Sequence, residues 1–495
     1  MAVLEEFSRR FKLGSGYSGT DKPLEIIEVE DGVTDGDGMA NKSSANFRLG
    51  VFSFFLFTII SIVLANFYLI DQHLSADGAF LFQIILDRET FTHGGNYFRI
   101  ISVLLTQWPI VFLVKCGVTD LASLKLAYAF GLYFPYAFSF LLCVRALRGR
   151  NLFLLIFPIL SMVVINLNIS YMLISEAHVM ACLSWPVLFL LCRIDDTRAD
   201  KILLVFLLVI YSRTYESVVA TSFIFLWIIV IRFWFLKNRK EPVFHLLLIT
   251  ICLITFVMSF YAGIHPSAPE NKKSFLRSII SVYASPQLYI PVLFIVLLIF
   301  ALLKKNAGYR LALFIPIFWY ALVLLTHDHG LSQYASFSTR VTSLSLLPLL
   351  LAACFILSFG RFRHDKAVLL ACFLFVSVVS SGHIRYSKDW KSFKSSMVQV
   401  LQQNSGFVRI EQTELNNSKC AWSWNNPELS VIWSGGCVKS IILNKPGFKW
   451  QAYDPEKELI LKRYVKYDSF FRGIDNSIST CSALPDATSQ GSGSK

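Results

Sequence analysis

Charged side chains are scarce in this chain: Asp, Glu, Lys and Arg make up 16% of its 495 residues, against about 25% in soluble domains. With 55% hydrophobic residues and a mean hydropathy of +0.55, that shortage points to an integral membrane protein. Metal-type C-x-x-C pairs are missing, and so is any internal repeat of useful length. The first speaks against a cysteine-held metal; the second speaks against a transporter built from repeats. Residues 1–46 are polar, with no apolar run before a small-residue cleavage site, so no cleavable leader is expected. No single basic patch exists either, although the net charge is +13. Lys and Arg sit in short clusters between apolar runs, which excludes a nucleic-acid surface and reads as a membrane topology signal.

Apolar runs and basic clusters together give an order of parts. Residues 1–46 read as a mobile cytoplasmic tail. Its acidic DGVTDGDG stretch lacks the closing Glu of a calcium loop. The run 47–70 is long enough to span a bilayer, for which roughly 20 apolar residues suffice. Residues 100–117 are expected to lie on the membrane surface as an amphipathic helix. The cluster Arg145, Arg148 and Arg150 demands a single crossing between Ile70 and Arg145. Further spans are expected at 121–144, 151–167, 177–192, 202–212, 218–236, 243–264, 289–303, 311–326, 342–360 and 367–382. The total is about eleven spans, with the N-terminus inside and the C-terminus outside. Each inner loop carries at least three Lys or Arg. The 202–212 run is short, so its helix reaches back or is broken.

The expected fold is mainly α: a polytopic helix bundle over residues 47–387, with a first outer loop at 71–120. Residues 388–495 read as a small α+β extracytoplasmic domain. Within it, 389–403 has helical spacing (Trp390, Phe393, Met397, Val400, Leu401). Alternation at 430–433 and 440–443 suggests short strands. The closing SQGSGSK resembles a linker scar and is set aside. Seven of the ten cysteines lie in or beside apolar runs and read as small core residues; Cys420, Cys437 and Cys481 lie in the polar part. Cys420 and Cys437, 17 residues apart around a Trp-rich segment, are expected to form a disulfide, with Cys481 the less favoured partner.

The chemistry concentrates on the loop DQHLSADGAFLFQIILDRETFTHGGNYFR, residues 71–99. Carboxylates at a membrane surface suit proton abstraction or metal binding beside a lipid-borne substrate. Asp77 stands out because Gly78 allows close approach of a ligand and an apolar helix follows; a helix N-cap is the plainer reading. Asp87 and Glu89 beside Arg88 read as a solvated cluster. Arg99 closes the loop. In SRTYES, Arg213 and Glu216 flank Tyr215, either as an ion pair or as a substrate contact. Glu176 and His178 in ISEAH fit one turn at a helix mouth. Arg340, in FSTRVTSL, suits a phosphate through its guanidinium fork, with lipid-headgroup anchoring as the alternative. Lys272, Lys273 and Arg277 form a second phosphate candidate. His327 and His329 around Asp328 are a weak metal pattern.

This layout resembles the GT-C superfamily of integral membrane glycosyltransferases. The likeness covers the chain from Phe47 onward and is architectural: one span, an outer loop with an acidic residue, two juxtamembrane helices, then a many-span bundle and an outer domain. Asp77 in SADGAF maps to the family's catalytic aspartate, and 78–87 and 99–115 to the two helices. SEAH and SRTYES look like segments of bacterial O-antigen-modifying membrane proteins. The chain departs from better-known members in lacking a D-D or D-E pair in the first loop and the WWD-type motif, so protein N-glycosylation is not implied. The resemblance implies inverting transfer of a sugar from a polyprenyl-phosphate donor to a cell-envelope glycan, such as lipopolysaccharide O-antigen, or to its lipid-linked precursor. The site would face the periplasm at the outer face of a bacterial inner membrane. Arg340, Arg213, Glu216, Tyr215, Glu176, His178, Lys272 and Arg99 would bind substrate. No cofactor is required by the pattern; a divalent metal, Mg or Mn, is compatible with it. An O-antigen polymerase or ligase, and a lipid-linked glycan flippase, are the competing expectations.

Overall fold

A computed structural model of the chain describes residues 37–75, 77–92, 97–148, 152–166, 177–193, 197–235, 241–265, 293, 296, 346–355, 366–418, 420, 425–444, 459–477 and 479–481. The expected span 311–326, all of 289–303 except residues 293 and 296, and residues 1–36 of the expected tail lie outside them; the last ten residues of that tail, 37–46, are helical instead. The protein is mainly helical. Helix α1 (Asp37–Leu69) leads to a short 3-10 turn at Gln72–Leu74 and to α2 (Asp77–Arg88). Next come α3 (Ile100–Lys115) and α4 (Leu121–Ala146). The expected span 151–167 is instead a broken path: a 3-10 turn at Leu152–Leu155, α5 (Ile156–Ser161) and a π turn at Met162–Asn166. Helices α6 (Ala177–Leu191), α7 (Arg198–Tyr211), α8 (Val218–Phe235), α9 (Pro242–Ile264) and α10 (Leu346–Phe355) follow. Among the described residues, three segments are long and apolar enough to cross a membrane: Gly50–Leu69, Leu121–Ala146 and Pro242–Gly263.

Helix α6 is the hub. Every residue from Ala177 to Leu191 is buried, as befits a helix that is apolar all round and surrounded by others. At its C-terminal end the buried Arg232 donates from Nη1 to the Leu191 carbonyl at 2.8 Å, capping an orphan acceptor. Lys201 pairs with Glu241 at 2.6 Å and Arg193 with Asp200 at 3.2 Å. Thr197 and Asp200 form a capping box that starts α7 four residues before the apolar run. The ends of α6 and α8 and the starts of α7 and α9 therefore meet in one polar layer, matching the basic clusters in the sequence.

Helix α3 corrects one expectation. It does not stand apart as a surface helix but folds back antiparallel along α4, joined by residues 116–120. The two backbones touch: a Cβ on Gly131 would fall 1.9 Å from the Thr106 carbonyl oxygen, so only glycine fits. Trp108 lies edge-on to Phe130 and Phe134. The physical reason is composition: both faces of IISVLLTQWPIVFLVK are apolar, leaving no polar face for water.

The C-terminal part is not a separate layer. Helix α11 runs unbroken from Lys366 to Gln403, 38 residues or about 57 Å, straight through the expected boundary at 387. Its first half stacks Phe373 on Phe55 of α1 at 6.3 Å. Its second half buries Trp390, Phe393, Met397, Val400 and Leu401, the stripe expected from spacing. Those side chains share one core with Leu74, Phe82 and Ile85 of the first loop and with Val438, Ile441 and Tyr467 beyond it. Two small parallel sheets complete the region: β1 (Gly406–Arg409) with β3 (Ser440–Leu443), and β2 (Cys437–Val438) with β4 (Lys466–Tyr467). The 430–433 strand is instead the end of α12 (Asn426–Trp433), which opens on Pro427 and buries every residue, erasing any readable period. A short α13 (Ser469–Arg472) ends the described fold.

The disulfide expectation is also corrected. Cys437 bonds to Cys481, with Cα atoms 5.9 Å apart, and Cys420 is a buried thiol. Backbone pairing decides this. β2 pairs with β4, and the Cys481 N–H donates to the Tyr467 carbonyl at 3.0 Å, which delivers residue 481 to residue 437.

Candidate functional site

The end of α1 turns sharply at Asp71, whose φ of 61° is left-handed. Asp tolerates that region better than most residues. Its Oδ2 accepts from Lys125 Nζ of α4 at 3.0 Å and from Lys394 Nζ of α11 at 2.6 Å. Burial alone would push the Asp71 carboxyl up; the bonds and charges of the two lysines outweigh it and hold the group below the usual carboxylate range. Trp390 Nε1 donates to the Ile70 carbonyl at 3.2 Å, and Ser387 Oγ donates to Gln72 Oε1 at 3.0 Å. His73 is buried between the rings of Tyr68 and Tyr128, and that burial drives it down to about 4. Three distant segments are thus locked at one corner.

From this corner α2 departs. The Gly78 N–H donates to the Ser75 carbonyl at 2.9 Å. Asp77 is the first residue of α2 and half-buried, so its carboxylate stands in the first turn, where the helix dipole favours negative charge. Gly78, Ala79, Phe82, Ile85 and Leu86 form the buried face. At the far end Glu89 pairs with Arg463, and Tyr464 Oη donates to the Leu86 carbonyl at 3.4 Å. Asp87 is exposed and accepts from Gln83 Nε2 at 3.2 Å. Gln107 of α3 both accepts from and donates to the Thr92 backbone, at 2.9 Å each way, fixing the chain after α2.

Four expected site residues come together at the start of α3. Arg99 Nε donates to both oxygens of Glu216, at 3.0 and 3.2 Å, and its guanidinium lies 4.6 Å from the centre of the Tyr215 ring. Arg213 lies over Phe98 at 5.8 Å. Backbone contacts weld SRTYES to α3: Ile101 N–H to the Arg213 carbonyl at 3.2 Å, and Ser102 Oγ to the Thr214 carbonyl at 2.8 Å. Glu216 forms its ion pair with Arg99, 117 residues away in sequence and outside SRTYES. The opposite end of α3, about 24 Å along it, packs on the corner that precedes Asp77.

His178 joins other company, stacked on Tyr136 of α4 at 5.5 Å and buried. Glu176, Lys272, Lys273, Arg277, His327, Asp328, His329 and Arg340 lie outside the described residues. Among the described residues no group of three or more His, Cys, Asp or Glu could hold a metal. Sequence reading passed over Lys125 and Lys394, although a lysine inside the apolar α4 and one at i+4 from Trp390 were visible signals. Glu428 was missed as well; burial in α12, which packs on α2, pushes its carboxyl up to about 7. Comparison with family models, with curated proteins and with solved structures finds no match for the chain, so its own geometry carries the functional reading.

Proposed function

We propose that the chain is an inverting glycosyltransferase that moves a sugar from a polyprenyl-phosphate donor to a cell-envelope glycan or its lipid-linked precursor, at the outer face of a bacterial inner membrane. The observation that carries this reading is the corner itself. A long apolar helix stops at the turn locked at Asp71, and Asp77 follows six residues later at the start of a short helix that shares a core with the C-terminal region. A lipid-linked donor reaches such a place laterally through the bilayer, while a glycan acceptor reaches it from water.

Asp77 is the general base. Its carboxylate takes the proton of an acceptor hydroxyl as that oxygen attacks the anomeric carbon. The bond from carbon to phosphate oxygen breaks, and polyprenyl phosphate leaves with the bonding pair. Cations stabilise the leaving phosphate; Arg340 and Lys272 are assigned to it. Arg99 and Arg213, with Tyr215 and Glu216, stand about 24 Å from the corner along α3 and are assigned to a part of the substrate remote from the reacting phosphate. Glu176 is assigned to a substrate contact, while the buried His178, stacked on Tyr136, is assigned to packing behind it. A divalent metal is not required by this scheme.

Purified protein in liposomes with a defined polyprenyl-phosphate sugar tests the reading. Transfer is expected for the unmodified chain. Asp77→Asn is expected to insert and bind donor normally and to lose about 10²–10⁴ in rate, the usual cost of removing a general base, while Asp87→Asn loses little. Movement of lipid-linked glycan across the bilayer with no new glycosidic bond would establish the flippase instead.

A further inference from the structure

Between α2 and the turn at residues 459–462 lies a cleft of about 380 Å³, within the roughly 300–1,000 Å³ of small-molecule sites. One wall is α2, through Gln83, Ile84, Asp87 and Arg88; the other is Leu459, Ile460 and Lys462. Both walls are fixed. Arg463 is paired with Glu89, Tyr464 reaches the Leu86 carbonyl, and Lys462 is held by Asp475. The lining is unlike a lipid or protein groove. An amide, a carboxylate, a guanidinium and an ammonium surround a floor of three aliphatic side chains, with charges of both signs. Hydroxyl-rich ligands with apolar ring faces, such as sugars, match that mixture.

Its place on α2 gives it a role. Ile84 and Arg88 are seven and eleven residues after Asp77, close to whole numbers of helical turns, so all three share one stripe of α2. That stripe is the face left open, because Gly78, Ala79, Phe82, Ile85 and Leu86 are buried on the other. Along the axis, Ile84 and Arg88 lie about 10 and 16 Å from Asp77. An oligosaccharide of a few units bridges that distance.

We propose that this cleft is a remote subsite for the acceptor glycan: the chain's terminal hydroxyl stands at Asp77 while sugars further back lie along α2 and seat between Arg88 and Lys462. The inference rests on the transferase reading and adds to it the acceptor class, an oligosaccharide rather than a single sugar or a bare lipid. Binding energy taken so far from the reacting atoms holds the hydroxyl in place.

The test uses the full chain in nanodiscs and fluorescent bacterial envelope oligosaccharides, from mono- to hexasaccharide, read by anisotropy. Affinity is expected to rise with length and then level off. Ile84→Trp, which fills the cleft, and the exposed Arg88→Ala are each expected to remove that gain, about tenfold or more. Asp77→Asn keeps the length-dependent binding. Thermal unfolding checks that each variant is folded, and Arg88→Ala serves if Ile84→Trp is not. Absence of binding by every oligosaccharide, or unchanged binding in the cleft variants, overturns the subsite. Length-dependent binding without sugar transfer leaves the subsite standing and removes the transferase reading. Transfer with a KM indifferent to acceptor length does the reverse.

Discussion

Asp71 and Glu216 are both carboxylates held by basic side chains at opposite ends of α3's packing, yet the two clusters differ in kind. Asp71 exposes 9% of its side chain and is gripped by two lysines from α4 and α11. Glu216 exposes 14% and is met by one planar guanidinium, itself 27% exposed and stacked on Tyr215. The first joins three segments inside a core shared with the C-terminal region; the second joins one loop to one helix start. A carboxylate with two ammoniums in a buried turn is a clamp whose loss strands charge. An arginine fork on an aromatic face is a pre-shaped anion contact that can exchange partners at low cost.

Breaking the clamp should have the largest effect on stability. Asp71→Asn keeps the left-handed turn and removes the charge, leaving two ammoniums facing each other. A loss of about 3 kcal/mol is expected, read as a lower unfolding midpoint in detergent. A midpoint equal to that of the unmodified chain would show that the clamp is ornamental.

Acidification sharpens the contrast, because the corner titrates. His73 is held near 4, below its usual value near 6.5, so the unfolded chain binds its proton first. Its stabilisation is complete above pH 6.5 and is lost as pH falls toward 4; the gap is worth roughly 3 kcal/mol. Asp71, held low, keeps its contribution down to the ordinary carboxylate range and loses it below that. Glu428 acts oppositely. Raised from 4.5 to about 7, it favours the fold at low pH and costs stability as pH rises through that window. The two slopes offset each other between about pH 4.5 and 6.5. His73→Phe should leave a stability that falls with rising pH, and Glu428→Gln one that rises. Denaturation across pH 4 to 8 checks both; parallel profiles for the two variants would refute the assignment.

The smallest stability change belongs to the second cluster. Glu216→Gln is expected to cost less than about 1 kcal/mol, the range of partly exposed pairs, and to raise the donor KM because Arg99 loses its orienting partner. A large drop in midpoint with normal KM would make this cluster a second clamp and erase the distinction.

Some of this was legible in the residues. The runs at 121–144, 177–192, 218–236 and 243–264 became helices with nearly the same ends, because length and apolarity suffice to define a buried helix. The start of α7 reached back to Arg198, where a capping box demanded it. Trp390, Phe393 and Met397 marked their stripe because that half of α11 meets a core on one face and water on the other. Period failed where burial was complete: α12 has no wet face, and α3 is apolar on both.

The sequence by itself determined a helical chain with membrane-length apolar segments, basic clusters at one end of its helices, and an acidic loop after the first. Tertiary structure alone decided who meets whom. Lys394 reaches Asp71 across 323 residues and Arg99 reaches Glu216 across 117, and Cys437 takes Cys481 rather than Cys420 because β2, β4 and the bridge at Thr480 align them. A pattern along one chain records which residues want to be buried. Which partner satisfies a buried charge or thiol depends on the packing of elements far apart in sequence, and only the folded core fixes that.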